Sequence, residues 1–319
     1  MKYARITGTG GYLPERVLTN ADIEKIVDTS DAWIVERTGI HSRHIVAPDE
    51  TTFEMGAHAA LHALDMAGIT PQSLDLIIVA TSTPDQIFPS TACLLQKRIG
   101  AKHGGAFDVT AACAGFVYAL SIADQFIRSG NVKNALVVGS EAMTRLLDWQ
   151  DRATCVLFGD GAGAVVLQAD NKPGIHSSHL HADGNYKDIL FVPNRLPNAL
   201  ANAGGYLQMS GPSVFKIAVQ VLEKMVDEIL ETNYLAKSEI DWLIPHQANI
   251  RIIQAMAKKL ELPIEKVVIT LATHGNTSAA SIPLALDVAV RTGRIKPGEK
   301  LLLEGLGGGM TWASALITF

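Results

Sequence analysis

Phe107-Asp108-Val109-Thr110-Ala111-Ala112-Cys113-Ala114-Gly115-Phe116 passes from an apolar lead into a run of small residues around one sulfur. Val117, Leu120, Ile122, Ala123, Phe126 and Ile127 follow at spacings of three and four, up to Arg128-Ser129-Gly130. This pattern predicts a strand, a sharp turn and a mostly buried helix with Gly130 as its left-handed stop. Cys113 then stands at a helix start, where unpaired N–H groups and the positive dipole end favour thiolate over thiol. Its small neighbours leave room for a bulky reactant. A buried structural cysteine fits the local features equally well.

A second copy of the unit favours the reactive reading. Arg128-Ser129-Gly130-Asn131-Val132-Lys133 matches Arg291-Thr292-Gly293-Arg294-Ile295-Lys296, 163 residues on. The same spacing carries Cys113 to Asn276, in Gly275-Asn276-Thr277-Ser278-Ala279-Ala280. Phe107-Asp108-Val109 resembles Val267-Val268-Ile269, and the strand Ala135–Ser140 resembles Lys300–Gly305. Two polar residues at matching helix starts of a duplicated unit would lie near its pseudo-twofold axis.

The rest of the chain fits this frame. Thr51, with Glu54 three residues on, opens a helix that runs to Ala67 before Gly68. Leu76–Ala80 is a continuous apolar run, as expected of a strand buried on both faces. A helix over about 90–99 leads to the cysteine unit, and the run 158–167 closes a first half, residues 1–170. Residues 170–210 are rich in Gly, Pro, Asn and His and read as the join to a second half, 171–319. That half repeats the order, with helices at 213–232 and 250–260 and the strand Asp241–His246 parallel to 75–80. Alternating strands and helices imply an α/β fold of mostly parallel sheets covered by helices, in two stacked halves.

At 319 residues, with 48% hydrophobic and 18% charged side chains, the chain can bury a large core. A net charge of −5 does not suggest nucleic-acid binding. No apolar run reaches membrane-spanning length, the first residues do not read as a signal peptide, and a cytosolic protein is expected. Three cysteines without paired spacing suggest neither a disulfide framework nor a metal site, so Cys93 and Cys155 are read as packing residues.

His246 falls just past a strand end, where ligands collect in open α/β sheets. Cys113, His246 and Asn276 thus offer a nucleophile, an imidazole and an amide. They suit a cysteine-hydrolase triad with Asn276 orienting His246. They equally suit covalent acyl transfer, in which Cys113 holds the acyl group and the other two stabilise an oxyanion. The glycine run 305–309 can turn a backbone N–H toward a thioester carbonyl or simply join two strands. Neither it nor Gly159-Asp160-Gly161-Ala162-Gly163 is a phosphate loop, because no Lys-Ser/Thr follows.

Thr110–Phe116, Phe158–Ala164, Pro245-His246-Gln247-Ala248-Asn249, Gly275–Ala280 and Gly307-Gly308-Gly309 together closely resemble β-ketoacyl-acyl-carrier-protein synthase III, end to end and in order. This family of condensing enzymes initiates type II fatty-acid synthesis. The resemblance implies a thiolase-like fold, two βαβαβαββ halves stacked as a five-layered α-β-α-β-α sandwich, and a homodimer. It implies that an acyl-CoA primer, usually acetyl-CoA, acylates Cys113, and that no separate cofactor is used. Malonyl-acyl-carrier protein is then decarboxylated, with His246 and Asn276 holding the enolate oxygen. A second oxyanion hole comes from the Cys113 and Gly308 N–H groups.

By the same resemblance Trp33 and Arg152 sandwich the CoA adenine, with Arg37 and Thr29 near the phosphates and Phe215 and Asn249 along the pantetheine tunnel. Phe88 reaches across a dimer interface to the partner's acyl pocket. The carrier protein is acidic, and Arg251, Lys258 and Lys259 lie on one helix face beside the site. With Lys216, Gln247, Ala248, Asn249 and Ile250 they form the expected landing surface. The glycine run contains no second cysteine, so decarboxylative condensation fits better than reversible thiolysis. The rivals are a specialised condensing enzyme for polyketide or alkylquinolone precursors, an acyl-CoA hydrolase, and a non-catalytic acyl-binding protein.

Overall fold

A computed structural model describes residues 2–193 and 205–319. Strands Tyr3–Tyr12, Leu76–Ala80, Gly105–Val109, Asn134–Ala142 and Asp160–Asp170 form a first, mixed sheet. Strands Ile175–Ala182, Trp242–Pro245, Lys300–Gly307 and Thr311–Thr318 form a second, in the corresponding order. Among the described residues the second has no counterpart of the edge strand Gly105–Val109; a single parallel bridge from Leu243 to Val267 stands in its place.

The strand patterns explain the stacking. Along Leu76–Ala80 every residue is buried, and the two faces enter different cores. Leu76 and Ile78 join Leu301 and Leu303 of the second sheet around the central helices Gly115–Arg128 and Ser281–Arg291. Ile77 and Val79 pack under the outer helices Thr52–Ala67 and Thr91–Ile99, capped by Thr51 and Ser90. On the far side Leu243, Leu302 and Leu316 pack under Gly211–Asn233 and Ile250–Leu260. Five layers result, in the expected thiolase-like order.

The pseudo-symmetry has a spacing of 166 residues at the site, not 163. Asp75 and Asp241 play identical parts: each carboxylate accepts the N–H that opens the neighbouring strand, Asn134 at 3.0 Å and Lys300 at 2.8 Å. Gly115 and Ser281 both begin central helices, and Ala112 (φ 45°) and Ser278 (φ 50°) both turn left-handed just before. The structural counterpart of Cys113 is therefore Ala279, while Asn276 corresponds to Thr110. The second central helix is three residues shorter, 11 against 14, so its C-terminal match slipped the register. Gly139 and Gly305 make the crossing possible. A Cβ at Gly139 would stand 2.2 Å from the Ala279 carbonyl oxygen, and one at Gly305 3.0 Å from Ala114 Cα.

The segment 170–210 is more than a join. It supplies a strand of the second sheet, and it pairs Leu190–Phe191 with Gln208–Met209 beside the site. Its residues 194–204 lie outside the described chain. Between the first strand and the helix Thr52–Ala67 a polar insertion folds as the helices Asn20–Ile23 and Asp31–Thr38 on a hairpin of Arg16–Thr19 with Ser42–Ile45. Cys155 is buried as expected, but Cys93 is exposed on the outer helix beside the edge strand.

Candidate active site

Cys113 sits in the short turn Ala112–Ala114 between strand and helix. It is buried, and burial pushes its thiol up to about 12, with Ser278 pulling the other way and Glu141 adding to the rise. The expected thiolate is thus not the resting form. Loss of hydration outweighs one helix start.

The sulfur lies where two cavities meet. One, of ≈ 130 Å³, is lined by Cys113, His246 and Asn276, with Phe215, Ala248 and Asn249 also on its wall. The other, of ≈ 340 Å³, is lined by Cys113, Gly308 and an apolar set that includes Met143, Leu146, Phe191 and Leu207. Phe158 and Leu190 border both. A Cβ at Gly307 would lie 2.4 Å from the Cys113 nitrogen, so that glycine lets the end of the strand Lys300–Gly307 press against the Cys113 backbone.

His246 and Asn276 are held from behind. His246 Nδ1 lies 2.6 Å from Ser281 Oγ, and its backbone N–H donates to Glu304 O at 2.7 Å. That leaves Nε2 for the cavity. Burial holds the imidazole down at about 3, so it is neutral at working pH. Asn276 is fixed by a backbone ladder to Leu157 and Gly159, with N–H···O distances of 2.9 and 3.1 Å. Its Oδ1 accepts the Ser278 N–H at 2.9 Å, which leaves the amide N–H₂ as the free end. Glu141, wholly buried, accepts from Thr83 Oγ1 at 2.7 Å and from Ser278 Oγ at 3.0 Å and so ties this loop to the first half. Asn276 does not touch His246 in the manner of a triad: the partner of Nδ1 is Ser281. Ser278, Ser281 and Glu141 escaped sequence reasoning because serines within a small-residue run and a glutamate ending a strand carry no spacing signal.

The outer residues fall in three groups. Trp33, on the helix Asp31–Thr38, is half-buried, with the Arg152 guanidinium 4.9 Å from its ring and that of Arg37 at 6.0 Å. Arg152 also donates to Asp28 O at 3.1 Å. The pair is in contact, so a purine between them requires Arg152 to swing out. Thr29 Oγ1 is buried without a protein partner among the described residues. Asn249 caps the helix Ile250–Leu260 and donates to Arg37 O at 2.8 Å, joining the insertion to the cavity wall.

The expected landing surface needs correcting. Gln247 is fully buried: its amide donates to Pro245 O and Val268 O and accepts from the Thr270 and Leu271 N–H groups, so it braces the strand end and cannot meet a partner. Lys259 is paired with Asp227 at 2.8 Å and stands eight residues along its helix from Arg251, ~12 Å from the mouth. Arg251 lies 5.2 Å over the Phe215 ring at the mouth, and Lys216 and Lys258 are exposed. Ala248 and Ile250 are half-buried, and Ile250 packs beneath Gly39. Phe88 is 83% exposed and lines neither cavity of its own chain.

Two family models match the chain, one described as 3-oxoacyl-[acyl-carrier-protein (ACP)] synthase III over residues 107–184 and the other as its C terminal over 230–319. A β-ketoacyl-[acyl-carrier-protein] synthase III of Thioalkalivibrio sulfidiphilus is 60% identical over 322 residues, covering 100% of both chains. The chain belongs to the β-ketoacyl-acyl-carrier-protein synthase III family. The family's crystal structure from Aquifex aeolicus VF5 superposes with a TM-score of 0.94 at 49% identity, covering 99% of this chain and 100% of that one. The priming β-ketosynthase of the R1128 polyketide pathway gives a TM-score of 0.96 at 37% identity, over 100% of this chain and 96% of that one. Among the described residues no helix is long and apolar enough to cross a membrane.

Proposed function

We propose that this enzyme joins an acyl-CoA primer to malonyl-acyl-carrier protein by decarboxylative Claisen condensation, giving 3-oxoacyl-carrier protein, CoA and CO₂, and so starts fatty-acid chains. The observation that carries this reading is the position of Cys113 at the junction of two cavities, with the neutral His246 imidazole and the Asn276 amide lining one of them. The acyl group occupies the apolar cavity while bound to sulfur. The thioester arms of CoA and of the carrier protein use the other in turn, with Trp33, Arg37, Arg152 and Thr29 holding the CoA nucleotide at its mouth.

His246 Nε2–H and Asn276 Nδ2–H donate to the malonyl thioester oxygen as it gains charge. Decarboxylation needs no base, only stabilisation of the enolate, and neutral donors in a dry site supply it. The N–H groups of Cys113 and Gly308 serve the acyl carbonyl. Arg251, Lys216 and Lys258 receive the acidic carrier protein, and a second copy of the chain supplies Phe88 to the acyl cavity of its partner. The enzyme works in the cytoplasm and needs no cofactor beyond its thioester substrates.

A second reading, a primer longer than acetyl, is favoured by the ≈ 340 Å³ of the apolar cavity. A labelled primer series from acetyl- to octanoyl-CoA, with malonyl-carrier protein as acceptor, decides between them. Product from acetyl-CoA that disappears in Cys113→Ser supports the initiating enzyme. Labelling of Cys113 by longer primers alone moves it to a specialised pathway, and release of free acid without condensation would make it a hydrolase.

A further inference from the structure

The second sheet carries a polar row where the first carries an apolar one. Val138, Ala164 and Gly10 stand side by side across three strands of the first sheet. At the same place in the second stand Glu304, Ser314 and His179. The fold itself therefore does not call for polar groups there. Both Glu304 carboxyl oxygens, the Ser314 hydroxyl and His179 Nε2 are buried with no protein hydrogen-bond partner among the described residues. Polar atoms are seldom left so without water or a task.

Each end of the row leads somewhere. Glu304 shares with His246 a cavity of ≈ 20 Å³, room for one water molecule. At the other end His179 Nδ1 lies 3.2 Å from Glu228 Oε1, and His181 Nε2 lies 2.8 Å from Glu228 Oε2, on the half-open face of the Gly211–Asn233 helix. The titratable groups facing the row are thus His246 from within and His181 and Glu228 from outside.

We propose that Glu304, Ser314 and His179, joined by bound water, relay protons from Glu228 at the surface to the chamber beside His246 for the condensation step. This rests on the function proposed above. In that step the malonyl C–C bond breaks to release CO₂, and the new C–C bond forms to the acyl carbon. The C–S bond to Cys113 breaks with its electron pair staying on sulfur. The buried thiolate then takes up one proton, which the substrates do not bring. Acylation needs none, because the thiol proton leaves with CoA. Glu304 gives its O–H proton to the water beside His246 and recovers one from the His179 side. The proton passes by way of His246 to the Cys113 sulfur, in the cavity those two residues share. Burial pushes the Glu304 carboxyl up to about 8, so that proton is in place at neutral pH.

The test separates the half-reactions in Glu304→Gln, Ser314→Ala and His179→Gln. Mass spectrometry follows Cys113 acylation by acetyl-CoA, and single-turnover quench follows condensation of pre-acylated enzyme, in H₂O and D₂O. The expected result is acylation at the wild-type rate, condensation slowed about tenfold to hundredfold, and an altered solvent isotope effect. Condensation at the wild-type rate with an unchanged isotope effect overturns the relay, as does equal loss of both half-reactions. Should Glu304→Gln not fold, the other two variants decide. Wild-type enzyme that is acylated yet inert to malonyl-carrier protein would remove the functional reading itself, a result distinct from loss confined to the variants.

Discussion

Cys113 and Ala279 occupy the same place in two copies of one strand–turn–helix unit, and only one of them carries a thiol. Around them the exchange continues: Ala80 corresponds to His246, Thr110 to Asn276, and Glu141 to Gly307. The duplicated backbone brings two helix starts together across Gly139 and Gly305. The side chains then differ, with the proposed nucleophile on one copy and the proposed hydrogen-bond donors on the other. Duplication builds the chamber, and departure from symmetry supplies the chemistry.

The hardest test of that asymmetry is to reverse it. Cys113→Ala should lose condensation by at least ~10⁴-fold. Adding Ala279→Cys in that background should restore nothing, since the mirrored sulfur would have Ala80 and Thr110 where the donors belong. Acyl-enzyme formed at position 279 would break the comparison.

Next in size are the crossing glycines. Gly139→Ala drives a methyl into the Ala279 carbonyl and should cost ~3 kcal/mol in a denaturant titration, whereas Gly305→Ala, with a looser contact, should cost ~1 kcal/mol. Equal costs would mean that the two crossings are alike.

A pH series sharpens the contrast between the Glu304 row and its apolar counterpart. A carboxyl raised from 4.5 to about 8 by burial binds its proton more tightly folded than unfolded. Its contribution is full below pH 4.5 and lost as pH rises toward 8. Wild-type stability should therefore fall across that window, by on the order of a few kcal/mol, more steeply than that of Glu304→Gln. Part of the slope should survive in the variant, because Glu141 is also pushed up, to about 7. Parallel curves would mean that folding does not raise the Glu304 carboxyl.

The smallest effect separates two cations on one helix. Arg251→Glu, at the mouth, should raise KM for malonyl-carrier protein about tenfold and leave acetyl-CoA acylation alone. Lys259→Glu, remote from the mouth and already neutralised by Asp227, should change it less than about twofold. Equal effects would spread the landing surface along the whole helix.

Much of this was legible in the residues. Apolar runs, caps and alternation announced the layers, and the strand-end positions of Cys113 and His246 brought them into one cavity. The pairing of Cys113 with Asn276 by repeat spacing found a residue of the same cavity through a slipped register: the second helix is shorter, and the true counterpart is Ala279. Burial was the other hidden quantity. It turns Gln247 inward and keeps Cys113 a thiol, and sequence spacing reports neither. Glu304 lies within an apolar strand, where only the cross-strand register shows its neighbours. Leu190, Leu207 and Met209 come from a stretch that reads as a linker, and tertiary packing makes them walls.

The division of labour between the two copies is tested most directly by His246→Ala, assayed for both half-reactions on the same preparation. Cys113 should still be acylated by acetyl-CoA near the wild-type rate, while decarboxylation of malonyl-carrier protein should fall by ~10²–10³-fold. Equal loss of both would contradict that division and make His246 part of a single acid–base unit with Cys113.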